Sequence, residues 1–252
     1  GKAVMMEPQH WKQENRFDPL AATVVRNPPG EGEGYWIGAP GAMYDSQDRW
    51  FYLVYRLRRP RGMEPDRGAE IQIARSRDGI EYETIWRATK DLVDSPSIER
   101  CAIRRQADGS WILYISYVDP ADGRWRIDLV RADQPDQFDL RSVEPVLTAA
   151  DIGAEGVKDP FLFSIGSQWG MIASYAYAAG NSSDDQLHGT ADAYNTGLIL
   201  SATGLALSND GLDWQWQGQI MGPSASGWDQ YCSRIGCVWR ERDTWLALYD
   251  GS

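Results

Sequence analysis

Cysteine and histidine are nearly missing from this sequence, with three of the former and two of the latter among 252 residues. Cys101, Cys232 and Cys237 are too few and too irregular for a disulfide framework, and no histidine or further cysteine near the last two completes a zinc spacing. Long apolar runs are missing too. No stretch nears the roughly 20 residues of a membrane span, and the opening GKAVMMEPQHWKQENRFD has no basic region followed by an apolar core. No export signal is visible there, so the expected location is cytoplasmic and no membrane partner is expected. Positive charge is in deficit: 25 Lys and Arg stand against 36 Asp and Glu, a net charge of −11 that repels phosphate backbones and excludes nucleic acid as a partner. Patterning for a long amphipathic helix is almost absent.

Aromatic residues are abundant, with 12 tryptophans and 12 tyrosines. They head short apolar or alternating runs of strand type: RWFYLVYR (49 to 56), SWILYISY (110 to 117), QWGMIASY (168 to 175) and TWLALYDG (244 to 251). The leading tryptophans, Trp50, Trp111, Trp169 and Trp245, stand 61, 58 and 76 residues apart, the last interval being lengthened by the polar stretch AAGNSSDDQLHGTADAYNTG. Ahead of each run lies another short strand and a polar turn, which reads as a β-hairpin. Behind two of them, ARSRDGIEY and ALSNDGLDW share A-x-S-x-D-G, where Asp-Gly supplies the positive φ of a tight turn; IDLVRADQ holds the same place in the second repeat. Four copies of a four-stranded antiparallel unit predict an all-β chain, a β-propeller whose blades pack around a central channel. With 42% hydrophobic residues the chain can bury a large core, so residues 1 to 252 read as one propeller domain.

The inner hairpin strand with Lys158-Asp159-Pro160 at its start, the Trp and Tyr runs and A-x-S-x-D-G together resemble the five-bladed propellers of glycoside hydrolase family 43 and its relatives in families 32, 117 and 130. The likeness runs over nearly the whole chain. It implies a five-bladed ring of which about four blades are present here, and hence an expectation that the domain is incomplete at its C-terminal end. A further segment past Ser252 or a second chain would then close it, the alternative being a genuine four-bladed ring.

Matching the repeats about their tryptophans, with Ala39, Arg100 and Arg234 11 residues ahead of theirs and Asp159 10 ahead of Trp169, brings these four to one position, preceded by Gly38, Glu99, Lys158 and Ser233. The start of the innermost strand faces the channel mouth in this fold, so these are expected to be ring residues. Glycosidic cleavage needs one protonated carboxyl and one ionised carboxylate. The candidates are Glu99, in S-I-E-R-C, which resembles the Glu-Cys signature carrying the acid in family 32; Asp159, in K-D-P, which resembles the D-P signatures of the group; and Asp229, in G-W-D-Q-Y. Glu99 is expected as proton donor and Asp159 as the ionised partner in an inverting reaction. The structural alternative for each is an ion pair, Glu99 with Arg100 or Arg234 and Asp159 with Lys158.

Arg100, Lys158, Arg234, His188, Trp36, Trp228 and Tyr175 are the expected substrate-binding residues, the aromatic ones by stacking on sugar rings. His188 belongs to the longest polar loop, of the kind that can fold over a mouth. The arginine-rich stretch from Arg56 to Glu70 suits a carboxylated or sulfated sugar, the alternative being pairing with Glu64, Asp66 and Glu70 of the same stretch. No cofactor is required, and a central cation such as calcium has room in the scheme. The first repeat departs from family 43 in holding Ala39 where those enzymes carry an aspartate. The expected function is therefore a glycoside hydrolase acting on an oligosaccharide or glycoside, with a non-catalytic carbohydrate-binding propeller as the alternative.

Overall fold

The computed structural model describes residues 18–65, 68–180 and 197–252. Its strands form simple antiparallel meanders. The first blade is β1 (Trp36–Asp45), β2 (Trp50–Arg58), β3 (Glu70–Ser76) and β4 (Glu83–Thr89). The second is β5 (Ala102–Arg105), β6 (Trp111–Val118), β7 (Trp125–Ala132) and β8 (Glu144–Leu147). The third is β9 (Gly156–Ile165), β10 (Gln168–Ala178), β11 (Ile199–Ser208) and β12 (Gln215–Met221). β13 (Ser233–Glu241) and β14 (Thr244–Gly251) pair as a two-stranded sheet. The described residues therefore build three four-stranded blades and the first two strands of a fourth.

Each tryptophan-led run is the second strand of its blade, and β6 shows why the pattern works. Trp111, Leu113, Ile115 and Tyr117 point to one face and join a core with Tyr52, Val54 and Ile73 of the first blade. Ile112 and Tyr114 point to the other and pack with Val157, Met171 and Ala206 of the third. A strand with period-2 side chains and apolar residues on both faces can only be sandwiched between blades. Each buried aliphatic side chain contributes about 1.5–3 kcal/mol, so the two faces weld three blades together. The leading tryptophans reinforce the seams: Trp111 lies 4.7 Å from Tyr52, the Arg104 guanidinium 3.6 Å over Trp169, and Phe163 edge-on at 5.3 Å to Trp245.

The shared S-x-D-G turn folds the same way twice. Asp78 Oδ1 accepts from the backbone of Ile80 and Glu81 at 2.8 Å, and Asp210 Oδ1 from Leu212 and Asp213 at 2.8 and 3.0 Å. Ser76 and Ser208 accept from the following glycines, Gly79 and Gly211, whose φ angles are +77° and +79°. These backbone hydrogen bonds hold both aspartates below the ordinary carboxylate range. The motif is thus a turn device at the third strand's exit and takes no part in the mouth.

The four first strands follow one another, β1 against β5, β5 against β9 and β9 against β13. Each carries an extra residue near its start: the register shifts by one between Gly38 and Gly41, between the Ile98–Tyr117 bridge and Ala102, between Lys158 and Phe161, and between Ile235 and Cys237. Such bulges turn side chains away from the sheet and toward the axis.

Candidate active site

Ala39 and Asp159 occupy the same bulge in the first and third blades, with φ of +50° and +60°, and each precedes a proline. Left-handed backbone is costly for a residue with a side chain, though aspartate tolerates it better than most. Two contacts from the second blade hold Asp159 there. Its N–H donates to Ser116 Oγ at 3.2 Å, and its Oδ1 accepts the N–H of Arg100 at 3.2 Å. Among the described residues, Oδ2 has no hydrogen-bond partner. The equivalence of Ala39, Arg100 and Asp159 therefore holds in the first three blades, with one residue fewer between the bulge and the tryptophan in the third. In the fourth the bulge falls at Gly236, so Arg234 stands two residues ahead of the equivalent position and pairs in register with Asp250.

Glu99 comes from the neighbouring blade and is anchored through the same serine, its N–H donating to the Ser116 carbonyl at 2.7 Å. Ser116 is fully buried. The Glu99 carboxylate meets Arg56 Nη1 at 2.8 Å and lies 4.0 Å from Lys158 Nζ, with side-chain exposures of 15%, 8% and 14%. Arg56 also donates to the Ile98 carbonyl at 3.0 Å and stands 5.2 Å from the Trp36 ring; Lys158 stands 4.8 Å from the Trp125 ring. The ion pair at Glu99 is thus with Arg56 and Lys158, not with Arg100 or Arg234 as the alternative reading had it. Cys101, next in the chain, is buried, and burial pushes its thiol up to about 12, which leaves it inert.

The cations behave differently from one another. Arg100 crosses the axis: its Nη1 lies 3.4 Å from where a side chain on Gly236 would begin, which brings the second and fourth blades together at one point. Its Nε is buried without a partner among the described residues. Arg234 is spent on Asp250, at 2.9 Å and 3.1 Å. Burial opposes its charge, but Cys232, Asp250 and Asp159 together hold the guanidinium above its ordinary value.

Asp229 and Trp228 lie against the fourth hairpin, and Tyr175 lines a small pocket with Lys158 in the third blade. Asp229 is buried against the fourth hairpin, where it accepts from the Tyr249 hydroxyl at 3.4 Å, and none of its hydrogen bonds reaches Glu99 or Asp159. Trp228 stacks on Tyr249 at 5.5 Å and is 64% exposed, an open aromatic face over the end of that hairpin. Tyr175 turns its hydroxyl to Gln219 on β12 at 2.6 Å, so its polar end is used within the third blade. His188 lies outside the described residues. Among the described residues no three His, Cys, Asp or Glu side chains converge to hold a cation, and no step below uses one.

Sequence reasoning missed Arg56 and Ser116, which organise the pair. Ser116 interrupts the apolar strand WILYISYV, and Arg56 is one of two arginines at the end of FYLVYRLR; those interruptions were the available signal. Asp128 in IDLV gives the same signal but another outcome. It is fully buried, bonded to Tyr117 at 2.7 Å and Arg126 at 2.9 Å, and burial raises its carboxyl. No substrate can reach it, so it is structural.

No family model and no curated protein matches the chain. Solved structures do, and they have this fold. The α-L-arabinofuranosidase of Lactobacillus brevis matches at 14% identity and TM-score 0.58, over 85% of this chain and 63% of that one. A GH130 structure, from a family of mannoside phosphorylases that contains glycoside hydrolases targeting β-1,2-mannosidic linkages in Candida mannan, matches at 14% and 0.56, over 85% and 60%. The family 117 glycoside hydrolase Zg3597 of Zobellia galactanivorans matches at 14% and 0.52, over 85% and 66%. The chain spans roughly 60% of the length of the propeller structures it matches.

Proposed function

We propose that the protein cleaves a glycosidic bond at the mouth of its channel, with Glu99 and Asp159 as the working carboxylates. One observation carries this: two carboxylates from adjacent blades are anchored through a single buried residue, Ser116, whose main-chain carbonyl accepts the Glu99 N–H and whose hydroxyl accepts the Asp159 N–H. The propeller glycoside hydrolases among the structural neighbours support it.

The surroundings of the two acids favour exchanging the roles expected from sequence. Glu99 is engaged by a guanidinium at 2.8 Å and an ammonium at 4.0 Å. Asp159 has one backbone N–H on Oδ1 and an Oδ2 without a partner among the described residues. The open Oδ2 suits Asp159 to the acid's part, and the gripped carboxylate suits Glu99 to the base's. In the proposed inverting reaction Asp159 Oδ2 gives its proton to the glycosidic oxygen as the bond from the anomeric carbon breaks. Glu99 takes a proton from the water that attacks that carbon from the opposite side, and solvent resets both groups.

The second reading, a carbohydrate-binding propeller without catalysis, is favoured by Ala39 in the bulge that holds Asp159 in the third blade. Turnover separates the two. Incubation with β-1,2-mannosides, α-L-arabinofuranosides and other oligosaccharides, with and without inorganic phosphate, should release sugar from at least one. Glu99→Gln should lower that rate at least about a hundredfold, the usual scale for losing a general base. Saturable binding with no release from any substrate would favour the second reading.

A further inference from the structure

Beside the mouth lies an open cleft of about 580 Å³, formed where Tyr35 and Trp36 face Arg58, Arg59 and Arg61. Its walls are held in place. Gly34, at φ +86°, lets the incoming chain pass Pro60 so closely that a side chain there would lie 2.9 Å from the proline Cα. The Tyr35 hydroxyl rests on Met63 Sδ at 3.2 Å, and Arg59 is fixed to Glu70 at 3.2 Å.

Charge and shape point to one kind of occupant. The lining holds three arginines and one carboxylate, Glu33, in a protein whose net charge is −11; Arg59 is paired with Glu70, and Arg58 and Arg61 make contacts of their own while facing the cleft. Guanidinium groups match carboxylate and sulfate oxygens two at a time, and an indole face suits the apolar face of a sugar ring. Trp36 is 38% exposed and also connects the cleft to the mouth: its ring lies over Gly38 and 5.2 Å from the Arg56 guanidinium, which grips Glu99. A sugar stacked on Trp36 is therefore next to the one presented to the carboxylates.

We infer that this cleft is a subsite for an acidic sugar unit, carrying a carboxylate or a sulfate ester, one position away from the bond at the mouth. The inference rests on the proposed function for its oligosaccharide ligand. Its test uses binding alone, so absence of hydrolysis leaves the result readable. Titration calorimetry of the Asp159→Asn protein would compare tetragalacturonate, a sulfated carrageenan tetrasaccharide and neutral mannotetraose.

The expected result is saturable, salt-sensitive binding of an acidic probe, weakened at least about tenfold in an Arg58→Gln/Arg61→Gln double variant that leaves neutral binding unchanged. Which acidic probe binds tells carboxylate from sulfate. Trp36→Ala should weaken acidic and neutral probes alike. Failure of both acidic probes to bind, or acidic binding that the arginine substitutions leave intact, overturns the inference.

Discussion

Asp159→Asn should slow cleavage of an unactivated oligosaccharide by about a hundredfold or more, the usual scale for losing a general acid, while a 2,4-dinitrophenyl glycoside is cleaved at close to the wild-type rate. A dinitrophenolate leaves without a proton, so a missing acid matters only when the leaving group is a poor one. The substitution is mild for the fold. Asparagine tolerates left-handed backbone, which Asp159 adopts at φ +60°, and its amide oxygen can still accept the Arg100 N–H. Glu99→Gln should behave in the opposite way, slowing both substrates together, because the attacking water then lacks its base. Equal losses on both substrates for Asp159→Asn, with the split appearing for Glu99→Gln instead, would return the proton to Glu99.

Arg56→Met should lower the free energy of unfolding by about 3–5 kcal/mol, as expected when one partner of a buried ion pair is removed. Both partners are well shielded, at 8% and 15% side-chain exposure, and the Ile98 carbonyl loses a donor as well. Methionine keeps most of the volume beside Trp36, so the loss reports the stranded carboxylate more than a cavity. Adding Glu99→Gln should recover part of it, since an amide pays less for burial than an unpaired anion. Urea unfolding measures all three proteins. A loss under about 1 kcal/mol for Arg56→Met would place the pair among ordinary surface contacts.

The blades were legible because their signals are local. A tryptophan-led run of period 2 needs only its own side chains to declare two buried faces, and the S-x-D-G turns close through bonds spanning two or three residues. Ala39 and Asp159 could likewise be matched as one position, because each lies a nearly constant distance ahead of its blade's leading tryptophan. The pairing at the mouth was not legible. Arg56 and Glu99 are 43 residues apart on different blades, and no spacing rule selects Arg56 over Arg100 or Arg234.

Ser116 could not be singled out for a related reason. Its carbonyl serves Glu99 and its hydroxyl serves Asp159, 43 residues further on, and only the seam between two blades brings those demands together. The bulge in β13 departed from the alignment because a shift to Gly236 leaves the tryptophan spacing untouched. The contact of Asp229, a few residues ahead of β13, with the Tyr249 hydroxyl on β14 likewise depends on how the chain enters the fourth hairpin, which no local spacing shows.

The most direct measurement is the structure of the Asp159→Asn protein with a bound oligosaccharide. The account predicts a glycosidic oxygen within hydrogen-bond reach of residue 159, a water between the anomeric carbon and Glu99, and roughly 6.5–9.5 Å between the two side-chain groups, the spacing of an inverting pair. A sugar held only on outer blade surfaces, with no ring near residue 159, would contradict it.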